Sequence, residues 1–173
     1  MIGGELRVFN DVPDDAARDV LSDFCGSTAW VDGMLAARPF ASETAMLDAA
    51  DALWRALPPD EWLAAFQHHP RIGESRAHAP QSAAAQAMSA REQGAVPRAS
   101  RELRATLVDA NATYEERFGY IFIICAHGKR TEEMLASLAL RLGNAPADEL
   151  RVAAEEQRKI TRLRLAKFLG VSE

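Results

Sequence analysis

Only two cysteines, Cys25 and Cys125, occur in the 173-residue chain, far apart and with no C-x-x-C pair. No disulfide framework is encoded, and reduced thiols in a cytoplasmic protein are the simplest reading. No apolar run approaches the roughly 20 residues that span a bilayer, no signal peptide precedes the first predicted helix, and the end at Gly170-Val171-Ser172-Glu173 lacks a peroxisomal tail. Positive charge is scarce: 20 Lys and Arg against 25 Asp and Glu leave a formal net charge of −5, which argues against a nucleic-acid partner. The glycine patterns that cradle phosphates, G-x-x-x-x-G-K-[ST] and G-x-G-x-x-G, are missing, so no nucleotide cofactor is implied. Nor is there an H-E-x-x-H or a G-x-S-x-G elbow. His68, His69 and His78, with Cys125 and His127 further on, have poor spacing for zinc, and Cys125 lies in an apolar run that raises its pKa. The expectation is no metal and no cofactor.

What is abundant is alanine, within a hydrophobic fraction of 48% and beside a charged fraction of 26%. With only 10 Gly and 8 Pro this favours close-packed helices, because alanine is the best helix former and its small side chain lets helices approach. The prediction is an all-α fold: one compact domain over residues 1–173, about eight helices, and one short apolar extended segment near 120–126. After a short lead, Pro13, Asp14 and Asp15 open a helix that ends near Gly26. Ser27, Ser42 and Ser100 are placed to cap later helices, and Asp60 opens a short one. The stretch 82–92 is helical, closed by Gly94 and Pro97. From Ser100, the residues Leu103, Leu107, Ala110, Tyr114 and Phe118 follow one buried face, while Glu115, Glu116 and Arg117 are read as solvated. Residues 120–126 are β-branched and aromatic, but no second run resembles them, so a segment threading a helical core is expected rather than a sheet. Thr131 and Pro146 begin the last two helices.

Two stretches could carry chemistry. His68-His69-Pro70-Arg71-Ile72-Gly73-Glu74 stands where a short amphipathic helix ends; imidazole exchanges protons near neutrality, Pro70 holds the preceding residue extended, and Gly73 permits a turn. Further on, Ser89, Glu92 and Gln93 are three and four residues apart and project from one side of a helix, offering donors and acceptors to a polar heterocycle or a urea group. The same letters also fit a polar interhelical loop and a capped surface helix, and spacing alone leaves both readings open.

Taken together, His69-Pro70-Arg71-Ile72-Gly73, Ser89-x-x-Glu92-Gln93 and Tyr114-x-x-x-Phe118-Gly119-Tyr120-x-Phe122 resemble the 2-oxo-4-hydroxy-4-carboxy-5-ureidoimidazoline (OHCU) decarboxylases of purine catabolism. The likeness extends to Cys25-Gly26-Ser27-x-x-Trp30 and to Lys159-Ile160-x-x-Leu163-Arg164-Leu165, and so covers nearly the whole chain. It implies an all-helical, cofactor-independent carboxy-lyase, commonly a homodimer, that converts OHCU from urate into (S)-allantoin. His69 would be the catalytic acid/base, with Glu92 hydrogen-bonding the substrate hydroxyl. Pro70, Ser89, Ala90, Arg91 and Gln93 would line the substrate, together with the backbone of Tyr120, Ile121, Phe122, Ile123 and Ile124. Arg164 would face an anionic group; Arg162 stands close by on the same helix, where either arginine could instead complement the dipole, a reading that is stronger for Arg162. His68 has no counterpart role.

The implied chemistry agrees with the missing cofactor motifs. The carboxylate of OHCU leaves from a carbon that adjoins a ring C=N, so the substrate carries its own electron sink. A helical binding module, or a related enzyme acting on another ring-opened purine, would use the same scaffold.

Overall fold

The computed structural model describes residues 3–73, 79–96 and 99–171. Among these residues it contains nine helices and no strand: α1 Gly4–Asp11, α2 Asp14–Phe24, α3 Thr28–Ala36, α4 Glu43–Ala56, α5 Pro59–Phe66, α6 Ala83–Glu92, α7 Arg101–Phe118, α8 Thr131–Arg141 and α9 Pro146–Leu169. No helix is long and apolar enough to cross a membrane.

The serines set many of the boundaries. Ser27, Ser42, Ser82 and Ser100 each accept, through the side-chain hydroxyl, the backbone N–H three residues on, at 3.0–3.1 Å. That satisfies one of the amides left orphaned at a helix start. Gly119 ends α7 with φ of +79°, and a Cβ there would meet nothing within 4 Å, so the glycine is required by conformation and not by space. Pro13 stands at the N-cap of α2, one position before the first turn to which the sequence assigned it.

The lead is a correction. Residues 4–11 form α1, which buries Leu6 and Phe9, two residues three apart on one face. With only two core residues and no capping side chain at Gly3, its periodicity is too short to read.

Contacts group the chain into two compact units, Met1–Ala65 with Arg158–Glu173, and Phe66–Gln157. The first is built on Trp30, Met34, Met46 and Trp54, all buried, and the Trp30 indole N–H donates to the Ala50 carbonyl at 3.0 Å. The second has a core of Ile72, Val96, Leu107, Tyr114, Phe122, Ile124, Ala126, Met134 and Leu138. Both sequence motifs lie in this second unit.

Residues 121–126 thread that core without strand partners, as expected. A buried backbone outside a sheet must find hydrogen bonds elsewhere, and here side chains provide them. Arg141 Nη1 donates to the Ile123 carbonyl at 2.8 Å, the Cys125 amide donates to Glu156 Oε2 at 2.8 Å, and Lys129 Nζ donates to the Cys125 carbonyl at 2.9 Å. Arg141 is in turn held by Glu149, with Nε donating to Oε1 at 2.8 Å. Glu149 also accepts from the Tyr114 hydroxyl and from Asn144 Nδ2, so its buried charge is fully engaged.

Candidate active site

His69 follows the last turn of α5. Its amide donates to the Phe66 carbonyl at 3.0 Å, and its side chain is 93% buried, with 7% exposed. Pro70, next to it, is also buried. A series of ties to different parts of the second unit holds this turn. The Ala79 amide donates to the Gln67 carbonyl at 2.8 Å, and Gln81 Nε2 donates to the His68 carbonyl. Asn111 Nδ2 donates to the Ile72 carbonyl at 3.3 Å, and the Gly73 amide donates to Gln93 Oε1 at 2.8 Å. Gly73 itself has φ of +92°, the conformation that a side chain resists.

Arg71 adds an ion pair. Its Nε and Nη2 donate to Glu115 Oε2 and Oε1 at 2.7 and 2.9 Å, a two-pronged contact. Glu115 is therefore not the solvated residue of the sequence reading, whereas Glu116 and Arg117 are exposed as expected. One helix's periodicity reports which residues face away from the apolar stripe; it does not report a cation supplied from 44 residues earlier.

A cavity of about 740 Å³ lies between this turn and α6. Pro70 and Gly73 form one side, and Ala83, Gln86, Ala87, Ser89, Ala90 and Gln93 form the other, with Val96 and Arg104 completing it. Four of the sequence-derived site residues, Pro70, Ser89, Ala90 and Gln93, thus meet on one wall system. Gln86 and Arg104 were not anticipated. Gln86 has a sequence signal, since it stands three before Ser89 and seven before Gln93 on the same helical face. Arg104 has none, because on α7 it lies outside the apolar stripe.

The remaining site residues stand nearby or elsewhere. Glu92 is half-buried and does not line this cavity. At about 100° per residue it projects to the opposite side of Ser89 from Gln86, Ala90 and Gln93, and its charge acts on the Cys125 thiol in the 120–126 segment. Arg91 is exposed. Ile121, Phe122, Ile123 and Ile124 are buried, and Phe122 and Ile124 share the core cluster with Ile72 and Val96. The Tyr120 ring lies against Phe66 and Tyr114, with centroids 5.5 and 5.9 Å apart.

Arg164 belongs to the other unit. It is buried, and its Nη1 donates to the carbonyls of Asp23 and Phe24 at 3.4 and 3.3 Å, at the end of α2 where a cation is favoured by the helix dipole. Arg162 instead pairs with Asp51 at 3.0 Å in a part-buried contact.

Burial pushes the Cys25 thiol up to about 11 and raises the Cys125 thiol as well, so both cysteines are poor nucleophiles. Among the described residues no group of three His, Cys, Asp or Glu side chains is arranged to hold a metal ion. His78, one of the metal candidates, Glu74 of the opening motif and Pro97 lie outside the described residues, as does the whole polar stretch between Gly73 and Ala79.

Comparison with known proteins identifies the family. The OHCU decarboxylase family model matches residues 10–166. The uric acid degradation bifunctional protein TTL of Arabidopsis thaliana is 37% identical over 146 residues, which are 84% of this chain and 45% of that protein, so the chain spans less than half of that relative's length. The 2-oxo-4-hydroxy-4-carboxy-5-ureidoimidazoline decarboxylase of Haloferax volcanii is 27% identical over 163 residues, 94% of each chain. A crystal structure of OHCU decarboxylase in the presence of (S)-allantoin superimposes with a TM-score of 0.75 at 32% identity, covering 88% of this chain and 98% of that one. A family model that takes in almost the whole sequence, joined to a solved structure of the same helical architecture, settles the classification: the chain belongs to the OHCU decarboxylase family.

Proposed function

We propose that the protein is a carboxy-lyase of urate degradation that converts OHCU into (S)-allantoin without a cofactor. The observation that carries the reading is the cavity in which Pro70, beside the buried His69, faces Ser89, Ala90 and Gln93 of α6. Two motifs separated in sequence there form one pocket of a size suited to a small polar heterocycle.

The substrate supplies the electron sink. As the bond to the carboxylate carbon breaks and CO2 departs, its electron pair forms a C=C bond in the ring, and the C=N pair moves to nitrogen, which takes a proton. The resulting enol loses its hydroxyl proton and gains a proton on the ureido-bearing carbon, which fixes the S configuration. In this reading His69 carries the proton transfers, and Glu92 hydrogen-bonds the hydroxyl. Ser89 and Gln93 hold the ureido and ring carbonyl groups, with Pro70, Ala90 and Arg91 beside them. The backbone of residues 120–124 completes the ligand's surroundings. The ties that fix the turn around His69 serve this role, because acid/base help depends on a proton carrier held in position.

By the same likeness the working unit is residues 1–173 as one domain, acting as a cytoplasmic homodimer on a small-molecule substrate, with no metal, nucleic acid or membrane involved. The test is stereochemical. OHCU is generated in situ from urate, the protein is added, and circular dichroism follows optically active allantoin. A rate of S-allantoin formation well above the spontaneous, racemic reaction is expected, and no excess over it would overturn the reading.

A further inference from the structure

Arg141 carries a buried charge to the middle of the 121–126 segment. It is the last residue of α8, its side chain is 9% exposed, and its partner Glu149, in the first turn of α9, is fully buried. The guanidinium donates from Nε to Glu149 Oε1 at 2.8 Å and from Nη1 to the Ile123 carbonyl, also at 2.8 Å. Its central carbon stands over the Phe122 ring, 4.4 Å from the centroid. Tyr114 of α7 and Asn144, between α8 and α9, both donate to the Glu149 carboxylate. Three helices thus converge on one ion pair, and the cation's further reach ends on a peptide carbonyl that belongs to no helix.

Stability alone does not account for this arrangement. Taking two charges out of water costs about as much as their attraction returns, and apolar side chains of similar volume commonly replace a buried ion pair without loss. An apolar residue at 141 could fill the space over Phe122, but it could not grip the Ile123 carbonyl. A buried segment with no strand partner needs such a grip to keep its peptide planes in one orientation. The segment also adjoins the candidate site. Phe122 and Ile124 pack in the cluster that contains Ile72 of the His69 turn, and Cys125, whose thiol is raised chiefly by burial, also feels the Glu92 charge. We infer that Arg141 is a positioning residue for ligand binding: it holds the backbone of residues 122–124 in the orientation that receives the substrate, and Glu149 holds Arg141. This inference rests on the proposed decarboxylase reading, in which that backbone completes the ligand's surroundings, and its test has readouts independent of turnover.

A set of variants separates the grip from the fold. Arg141→Met alone leaves the Glu149 carboxylate buried without its cation and should lower the melting temperature sharply. Arg141→Met combined with Glu149→Gln removes both charges, keeps hydrogen-bonding groups for Tyr114 and Asn144, and should recover most of that loss. In this double variant, hydrogen exchange followed by mass spectrometry should quicken in the peptide covering residues 120–126, while the peptides of α7 and α9 keep their wild-type protection. Calorimetric titration with (S)-allantoin should show an affinity about three- to tenfold weaker than that of the wild type, the worth of one ordering hydrogen bond. Arg141→Lys, which keeps a cation for Glu149 but loses the planar fork, should weaken binding in the same direction. Unchanged exchange at 120–126, or equal allantoin affinity in wild type and double variant, would overturn the inference, as would a wild type that binds no allantoin. A double variant no more stable than Arg141→Met would assign the cluster to folding and overturn it as well. The OHCU assay is scored separately: Arg141-dependent allantoin binding without turnover supports the positioning role and removes the decarboxylase reading, whereas turnover with Arg141-independent binding removes the positioning role alone.

Discussion

Gly73 and Gln93, on opposite sides of the candidate cavity, are joined directly: the Gly73 amide donates to Gln93 Oε1 at 2.8 Å. The bond also decides what Gln93 can offer a ligand. Its carbonyl end is occupied by a backbone donor, which leaves the amide nitrogen as the end that donates, suited to the carbonyl oxygens of a ureido group or ring.

Gln93→Glu is therefore predicted to keep the acceptor for Gly73 while removing the donor and adding a negative charge where the anionic substrate binds. The expected result is a rise in KM of about tenfold, from roughly 1 kcal/mol of lost hydrogen bonding with repulsion added. Gln93→Met should show a smaller rise in KM together with a loss of thermal stability, because the Gly73 amide loses its partner. An unchanged KM in Gln93→Glu would remove Gln93 from the binding surface.

Arg71 and Glu115 should couple energetically. Both side chains are about a quarter exposed, at 29% and 27%, so solvent screens the pair only in part. In a double-mutant cycle of Arg71→Met and Glu115→Gln followed by urea unfolding, the coupling should be about 0.5–1.5 kcal/mol. Strict additivity would show that the two-pronged contact does not fasten the turn.

The helix starts at Ser27, Ser42, Ser82 and Ser100 were legible because capping is local: the hydroxyl and the N–H that it accepts lie three residues apart. The unpaired course of residues 121–126 was legible from the lack of a second strand-like run. The helix at 4–11 was not, since Leu6 and Phe9 alone make too short a pattern. Glu115 and Arg104 share a different reason. Each lies off the apolar stripe of α7, where a charged residue reads as solvated, and each is given meaning by chain far away in sequence, Arg71 for one and the Pro70–Gly73 turn for the other. The helical-face argument grouped Ser89, Glu92 and Gln93 by spacing, but three residues on and four residues on, Glu92 and Gln93, fall to opposite sides of Ser89. Only the packing of α6 shows that the cavity takes the side that carries Gln86 and Gln93.

The thiols should be inert in the folded protein. With Cys25 pushed up to about 11 by burial, only about one molecule in a thousand carries its thiolate at pH 8. Treatment of native protein with a disulfide exchange reagent at pH 8 should label Cys25 negligibly and Cys125 slowly, and both should react at once in denaturant. Fast native labelling of Cys25 would contradict its placement.

Alkaline pH should expose the buried phenol. Burial, reinforced by the hydrogen bond to Glu149, raises the Tyr114 hydroxyl above its ordinary value of 10.0. The native state therefore keeps its proton where the unfolded chain releases it, so this contribution to stability is complete below about pH 10 and falls as pH rises beyond it. Urea midpoints measured from pH 8 to pH 11 should drop more steeply for the wild type than for Tyr114→Phe, which has no proton to lose. Parallel slopes would show that the phenol does not titrate differently in the two states.

The central claim is that the buried His69 moves protons on OHCU. The measurement that addresses it most directly is the initial rate of (S)-allantoin formation by His69→Ala, compared with wild type on freshly generated OHCU, with far-ultraviolet circular dichroism confirming an intact helical fold. A loss of about 10² to 10⁴ in rate is predicted, the range of general acid/base assistance. A folded His69→Ala protein that makes (S)-allantoin at a near-normal rate would contradict the account.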